Sequence, residues 1–444
     1  MQPEFIAAFM FAALFLGIFS GHPLGFVLGG VGVLFQFIFS TLVDGMALSA
    51  SMGLFATTTW RVMNDFVLMA VPLFIFMAQL LNASGVAEGL FDAVHMVLGP
   101  VRGGLGLAVI LVCTVFAASA GVVGATEVAV GMMAIPALLK RKYDIPLTAG
   151  AICAGGTLGI IIPPSIMLVF YASLANLSAG QLFVAAFSPG LLLAFAYMAY
   201  IAIRCYITPE LGPPMPVEER NHSLNEIIVT LSKNLLPPVF LVLMVLGSII
   251  AGVATPTEAA GLGCLGSFIL AVVYKKVNLE LIKSAAINTL KTTSMIYCLA
   301  IGGACFQSTF LMLECGDAIT GFLTCIENPY LVLVLMMGTV FLLGMFIDWV
   351  GILLITVPIF APVVEELGFD PVWFAILVAI NLQMAFLTPP FGYSMFYLKG
   401  ISPDEITMPL IYKGVVPFIC LQWAVLITCM VFPDVIMWLP RMIF

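Results

Sequence analysis

Apolar runs fill this chain from end to end, broken at short intervals by glycine, proline and small knots of charge. Crossing a bilayer takes roughly 20 apolar residues. By that measure the first half predicts full spans near 4–20, 23–43, 65–83, 147–175 and 180–206. The second half predicts them near 234–252, 256–274, 293–313, 371–398 and 407–432. Between the third and fourth span of each half lies a long apolar stretch, 103–139 and 329–364, with small or polar residues at its centre. Each has the length of two short helices and predicts a re-entrant hairpin that enters and leaves by one face. Two segments, 46–62 and 279–292, are too polar to span and predict amphipathic helices on the membrane surface. The one long polar loop, 208–233, reads as a linker joining a first repeat, 1–207, to a second, 234–444.

Two of the spans cannot be continuous helices. Cys153 to Tyr171 places Gly155, Gly156 and Gly159 ahead of Pro163-Pro164, and Gln383 to Tyr397 carries a second pair at Pro389-Pro390. Proline lacks the N–H that a helix needs and pushes the residue before it out of the helical region. Broken backbone at membrane depth survives where it is buried in protein or lines a polar cavity, as in transporters. One constant shift in numbering carries Pro163 to Pro389 (389 − 163 = 226). It also carries Pro136 to Pro362, Asp144 to Asp370, Phe170 to Phe396 and Tyr171 to Tyr397. Such doubling is the repeat signature of secondary transporters.

Composition agrees. The 444 residues are 62% hydrophobic and 9% charged, where soluble proteins carry about 25% charged residues. Phe5 to Ser20 lacks a basic leader and is expected to be a retained helix. The ten cysteines form no C-x-x-C, and the three histidines show no metal-ligand spacing. No nucleic-acid partner is expected; the lipid bilayer is. Five crossings per half, an odd number, require the two halves to be inverted relative to one another. With Lys140-Arg141-Lys142 placed in the cytoplasm, both termini fall outside, and only Arg61 and Arg441 of the 15 Lys and Arg lie on that face. The outer loops carry Glu314, Asp317, Glu327, Glu365, Glu366 and Asp370 instead, a positive-inside pattern.

A small cation stripped of water needs several oxygens, and unwound carbonyls and hydroxyls supply them without burying a full charge. In the first half the candidates are Ser119, Gly121, Gly124 and Thr126 at the hairpin tip, facing Gly155 to Thr157 and Ser165. In the second they are Gly344, Asp348 and Gly351, facing Asn381, Thr388 and Pro389. The competing explanation is close packing, since small residues let helices approach. Glu127 and Asp348 lie at membrane depth, where acids default to functional suspects. Each is also placed to stabilise the N-terminus of its second hairpin arm. Glu258, after Pro256, reads as a first-turn cap. Neither hairpin holds Lys or Arg, so a substrate carboxylate would rest on helix N-termini such as Pro164-Ser165, helped by hydroxyls and a bound cation.

The segments SGHPLGFVL, SAGVVGATEVAVG, GGTLGIIIPPS, GVATPTEAAGLG, LGMFIDWVGILLITVPIFAP and FLTPPFGYSMFYLKG, in this order, resemble the large membrane subunit of tripartite ATP-independent periplasmic (TRAP) transporters. The resemblance covers essentially the whole chain. It implies an all-α inverted-repeat carrier of elevator type in the bacterial inner membrane, taking up organic acids with Na+. It implies two partners: a small four-helix membrane subunit and a periplasmic substrate-binding protein. The sodium positions it implies carry over to Ser119, Gly121, Gly155, Gly156, Thr157, Gly159 and Pro163, and to Gly344, Asp348, Thr388 and Pro389. The substrate positions expected beside them are Ser119, Gly124, Thr126, Ser165, Asp348 and Asn381. Where many relatives read Ser-Gly-Ser at the first tip, this chain has Ser119-Ala120-Gly121, which removes one hydroxyl and shifts weight to carbonyls. The wording of the motifs leans toward a monocarboxylate, such as a 2-oxo acid, over a C4-dicarboxylate. Two rivals remain at this point. One is a single-subunit Na+/dicarboxylate symporter of similar architecture. The other is an intramembrane hydrolase using Asp348 and Glu127, against which stands the lack of any nucleophile-base pair or H-E-x-x-H motif.

Overall fold

The computed structural model describes residues 2–39, 48–121, 123–216, 218, 223–390 and 392–444. Those residues fold into twenty α-helices and no strand. The first ten are α1 (Pro3–Phe19), α2 (Leu24–Gln36), α3 (Leu48–Met63), α4 (Ala70–Ala83), α5 (Val86–Leu98), α6 (Gly104–Ala120), α7 (Val123–Lys140), α8 (Ile145–Thr157), α9 (Ile166–Ala175) and α10 (Ala179–Ile207). The second ten are α11 (Leu224–Ile250), α12 (Pro256–Val273), α13 (Leu279–Met312), α14 (Cys315–Thr324), α15 (Pro329–Gly344), α16 (Trp349–Glu366), α17 (Pro371–Ala385), α18 (Tyr393–Ile401), α19 (Met408–Val431) and α20 (Asp434–Ile443).

The helix boundaries keep the shift read along the sequence. Helices α7 and α16 have the same length and their starts differ by that shift (349 − 123 = 226), as do the ends of α9 and α18 (401 − 175 = 226). The cause is local. Asp144 caps α8 by accepting the Leu147 N–H, and Asp370 caps α17 by accepting those of Val372 and Trp373. A proline follows each cap within the first two helical positions, where its missing N–H costs nothing. The 3-10 turn Leu158–Ile160 and the proline pair then end α8, as Pro389-Pro390 follows α17.

Packing is repeated too. Helix α2 lies along α13 as α12 lies along α4, and α8 lies on α19 as α17 lies on α10. The second hairpin arms cross over: α7 packs against α18, and α16 against α9. Gln383 Nε2 donates to Thr157 Oγ at 3.3 Å, and these two positions are themselves related by the shift (383 − 157 = 226). A position that touches its own equivalent lies on a two-fold axis relating the two copies. Glycine allows the closest approaches. A Cβ at Gly150 would run into the Gly414 backbone, and one at Gly414 into the Pro146 backbone, so α8 and α19 meet main chain to main chain.

Four features differ from the pattern read along the chain. The expected surface segment 279–292 and the span after it form one continuous helix, α13. Its Asn278 cap starts a helix that no proline or glycine pair interrupts before the membrane. Helix α11 begins at Leu224, inside the expected linker, because Ser223 caps it. Helices α5, α14 and α20 have no counterpart in that pattern. Finally, among the described residues six helices are each long and apolar enough to cross a membrane alone. Five of the six are expected crossings and the sixth is α16, an arm of the expected second hairpin; the remaining expected crossings are built from shorter helices, or from the bent pair α4 and α5, set at 61°.

Candidate functional site

The first hairpin turns where α6 runs out at Gly121. Its φ of +60° is left-handed, a conformation glycine adopts without penalty, and its N–H closes the helix onto Ala117 O at 3.0 Å. A Cβ there would stand 2.9 Å from the Pro164 carbonyl oxygen, so the tip rests on the break of its own repeat. Both prolines of that break are buried and joined by a cis peptide. Ser165 Oγ folds back to donate to Ile160 O at 2.5 Å. The second hairpin turns at 345–348. Asp348 caps α16 by accepting the Val350 N–H at 3.4 Å, the helix-end role the sequence allowed it. A Cβ on Gly344 would collide with Ala385, which seats that arm on α17. Here too the proline pair is cis, but Pro389 and Pro390 are exposed, and Thr388 Oγ donates to Met384 O at 2.9 Å.

The two tips and the two breaks meet around one cavity of about 890 Å³. Gly121, Val123 and Gly124 line it from the first tip; Ile347, Asp348 and Trp349 line it from the second. Ile160 and Ile166 flank the first break, Phe386 and Tyr393 the second. The opposite wall comes from the α1–α2 turn with His22, from α4 with Gln79 and from α13 with Thr292. Among the described residues, no Lys or Arg lines it.

Of the residues singled out from sequence, Gly121, Gly124 and Asp348 face this cavity. Thr126, Ser165 and Asn381 are buried behind it. Asn381 donates to Met337 O at 2.6 Å, while its side-chain oxygen is buried without a hydrogen-bond partner. Gly155 packs where a Cβ would come 2.9 Å from Cys113, and one on Gly156 would strike Glu127. Thr157 Oγ donates to Ala154 O at 2.9 Å and accepts from Gln383. Gly159 is buried in the 3-10 turn, as Pro163 is beyond it. The backbone of Ser119 lies in the last turn of α6, and its side chain lies outside the described residues.

Glu127 has a role the sequence did not suggest. It is fully buried, and its Oε1 accepts the hydroxyl of Ser394 from the other repeat. Its Oε2 is buried without a hydrogen-bond partner. Ser394 also reaches Cys153 O at 3.4 Å. Glu258 forms a capping box with Thr255, as a first-turn acid should.

Comparison with known proteins fixes the context. The family model described as "Tripartite ATP-independent periplasmic transporter, DctM component" matches residues 11–435. The chain belongs to this family. It is 32% identical over 380 residues to the C4-dicarboxylate TRAP transporter large permease protein DctM of Pseudomonas aeruginosa, covering 85% of this chain and 87% of that one. It is 30% identical over 431 residues to the sialic acid TRAP transporter large permease protein SiaM of Vibrio cholerae, covering 96% of each. The ectoine/5-hydroxyectoine large permease protein UehC of Ruegeria pomeroyi is 30% identical over 379 residues, covering 85% of this chain and 86% of that one. Among solved structures, the YdaH transporter of Alcanivorax borkumensis superposes with a TM-score of 0.64 at 15% identity, over 88% of this chain and 90% of that chain, which shows a shared fold. This TRAP large subunit is thus an integral membrane transport protein, not an enzyme.

Proposed function

We propose that this large subunit carries an organic acid across the bacterial inner membrane together with Na+. The observation behind the proposal is that both tips and both breaks converge on one cavity that, among the described residues, no Lys or Arg lines. A substrate carboxylate there has no Lys or Arg to pair with, so its charge must be met by helix N-termini and bound cations. Oxygens suited to Na+ stand beside the cavity: the Pro164 carbonyl near Gly121, the Asp348 carboxylate and the Thr388 hydroxyl. Neutral oxygens with one acid match a hard monovalent cation and need no proton exchange. The two-fold related breaks and hairpins form the moving body, which slides against a wall built from α2, α4, α12 and α13. Both termini lie on the periplasmic side, with the first hairpin opening to the cytoplasm and the second to the outside.

The substrate, with a lean to a monocarboxylate such as a 2-oxo acid, arrives on a periplasmic binding protein, and the small four-helix subunit extends the static wall. The test is uptake in proteoliposomes holding this chain, the small subunit and the loaded binding protein. An inward Na+ gradient should drive accumulation, and the chain alone should accumulate little. Robust uptake from a proton gradient in Na+-free buffer would overturn the sodium assignment.

A further inference from the structure

The side chains of the cavity wall are less alike than the repeated helices that carry them. Under the shift that relates the repeats, Phe346 of the second tip answers Ala120, Trp349 answers Val123, Phe386 answers Ile160 and Tyr393 answers Met167. Only Tyr397 answers an aromatic, Tyr171, and Tyr171 is buried away from the cavity. The second repeat therefore presents five aromatic rings to the cavity, and at four of the matching positions the first repeat has a small or aliphatic side chain. Phe386 and Tyr393 are in ring contact at 5.7 Å, and Trp349 is steadied edge-on by Phe170 at 5.8 Å. The polar groups are few, and the acid Asp348 sits beside Trp349.

We infer that the substrate is a monocarboxylate with an apolar body the size of an aromatic ring, its body held by the rings of the second repeat. This rests on the reading of the cavity as the site of a Na+-coupled organic-acid carrier. Three physical points lead to it. A second carboxylate would enter a wall that already holds Asp348 and where, among the described residues, no Lys or Arg and only the imidazole of His22 could answer it, and a buried charge without a partner is strongly disfavoured. A polyhydroxylated body would leave its hydroxyls unmatched against apolar walls, which costs more than an unmatched methylene gains. An aromatic body meets ring faces and edges that favour offset or edge-on contact. With Na+ at Asp348, the single head carboxylate faces a net neutral or positive end of the cavity, and the body points to the rings.

The experiment is equilibrium binding to the purified full chain in lipid nanodiscs, with and without Na+, using benzoate, phenylpyruvate, pyruvate, succinate and gluconate. Benzylamine serves as the cationic counterpart. In Na+, phenylpyruvate should bind at least about tenfold more tightly than pyruvate, and benzoate at least about tenfold more tightly than succinate or gluconate. Trp349→Leu and Phe386→Leu, taken separately in case one fails to fold, should each shrink the phenylpyruvate-to-pyruvate ratio about fivefold while pyruvate binding stays Na+-dependent. Tighter binding of succinate or gluconate, or Na+-independent binding of benzylamine, would overturn the substrate class and leave Na+-coupled carriage standing. Absence of Na+-dependent binding for every acid would overturn the underlying reading of the cavity instead.

Discussion

At the first tip and break stand Gly121, Val123, Ile160 and Met167; at the equivalent positions of the second repeat stand Ile347, Trp349, Phe386 and Tyr393. The backbone around them is alike in its second hairpin arms, caps and cis proline pairs, which recur in one register, while Gly121 and Gly392 are left-handed where their equivalents Ile347 and Ile166 are not. What differs is how each break is used. The first is buried, with Gly155 and Gly156 letting α6 and Glu127 press onto α8. The second has Asn381 and Leu382 at those positions, and its prolines are exposed. A two-fold symmetric cavity would hold a ligand with one head and one body equally well in two orientations. Unequal side chains on repeated helices remove that ambiguity, which is the use we see for the divergence.

The harshest way to break this comparison is to make the first repeat like the second. Gly156→Leu installs the residue of the equivalent position 382, but the space it needs is filled by Glu127. Overpacking costs about 1–3 kcal/mol and sometimes more, and here the obstacle is the enclosed part of a buried side chain, so about 3 kcal/mol or worse is expected. Thermal unfolding of the purified protein in detergent would show it as a lost or strongly lowered transition. Gly156→Ala should be milder, and adding Glu127→Ala should restore part of its loss. A wild-type transition for Gly156→Leu would mean that the first break is not the close-packed one.

The second test concerns the clasp between repeats. Ser394 and Glu127 correspond to Leu168 and Leu353, so the copy of this contact site in the other half is apolar. Ser394→Ala leaves a buried carboxyl without its hydrogen-bond partner and should cost about 2 kcal/mol. Glu127→Leu combined with Ser394→Ala removes the polar pair altogether and should return to within about 1 kcal/mol of the wild type. Additive losses in this cycle, read from unfolding midpoints, would show that the two side chains do not act as a pair.

The clasp also shows what the chain could and could not reveal as a string of residues. The hairpins, the broken helices and the repeat were legible because proline pairs, glycines and helix caps act locally and recur in one register. Glu127 was legible as an intramembrane acid but not as a clasp, since its partner lies 267 residues away and the contact exists only because α7 crosses to α18. Short helices such as α5 and α14 carry neither the length of a span nor a strong break, so length rules passed over them. The aromatic wall is hidden for another reason: Phe346, Trp349 and Phe386 lie at positions where the two repeats differ, and a repeat shows itself only through positions that are alike.

A third, smaller effect separates the tips by charge. Asp348→Asn keeps the size of the side chain and its ability to cap α16, because asparagine is as good a cap as aspartate. What it loses is the one carboxylate that lines the cavity among the described residues. Na+ should still be required for uptake, with the concentration for half-maximal rate raised roughly tenfold, equal to about 1.4 kcal/mol and within the range for losing one charged hydrogen-bond partner. Proteoliposome uptake across a Na+ series measures it. An unchanged half-saturation would remove Asp348 from the cation site and leave it a cap only.

The smallest effects should appear where the repeats are alike. Asp144 and Asp370 occupy equivalent caps in the two repeats, and each starts the first half of a broken helix. Asp144 accepts one backbone N–H, from Leu147 at 3.0 Å. Asp370 accepts two, from Val372 at 2.8 Å and Trp373 at 3.2 Å. Losing an N-cap side chain typically costs about 1 kcal/mol. Asp144→Ala and Asp370→Ala should therefore lower stability by similar amounts, with Asp370→Ala the larger by a few tenths of a kcal/mol, on the order of the difference one weak extra hydrogen bond makes. Neither cap touches the cavity, so Na+ half-saturation and the order of preference among acids should stay as in the wild type. Unfolding midpoints and the same uptake series read both quantities on the same preparations. A change in substrate preference from either cap would mean that the shared backbone, and not only the unequal side chains, decides how the substrate is oriented.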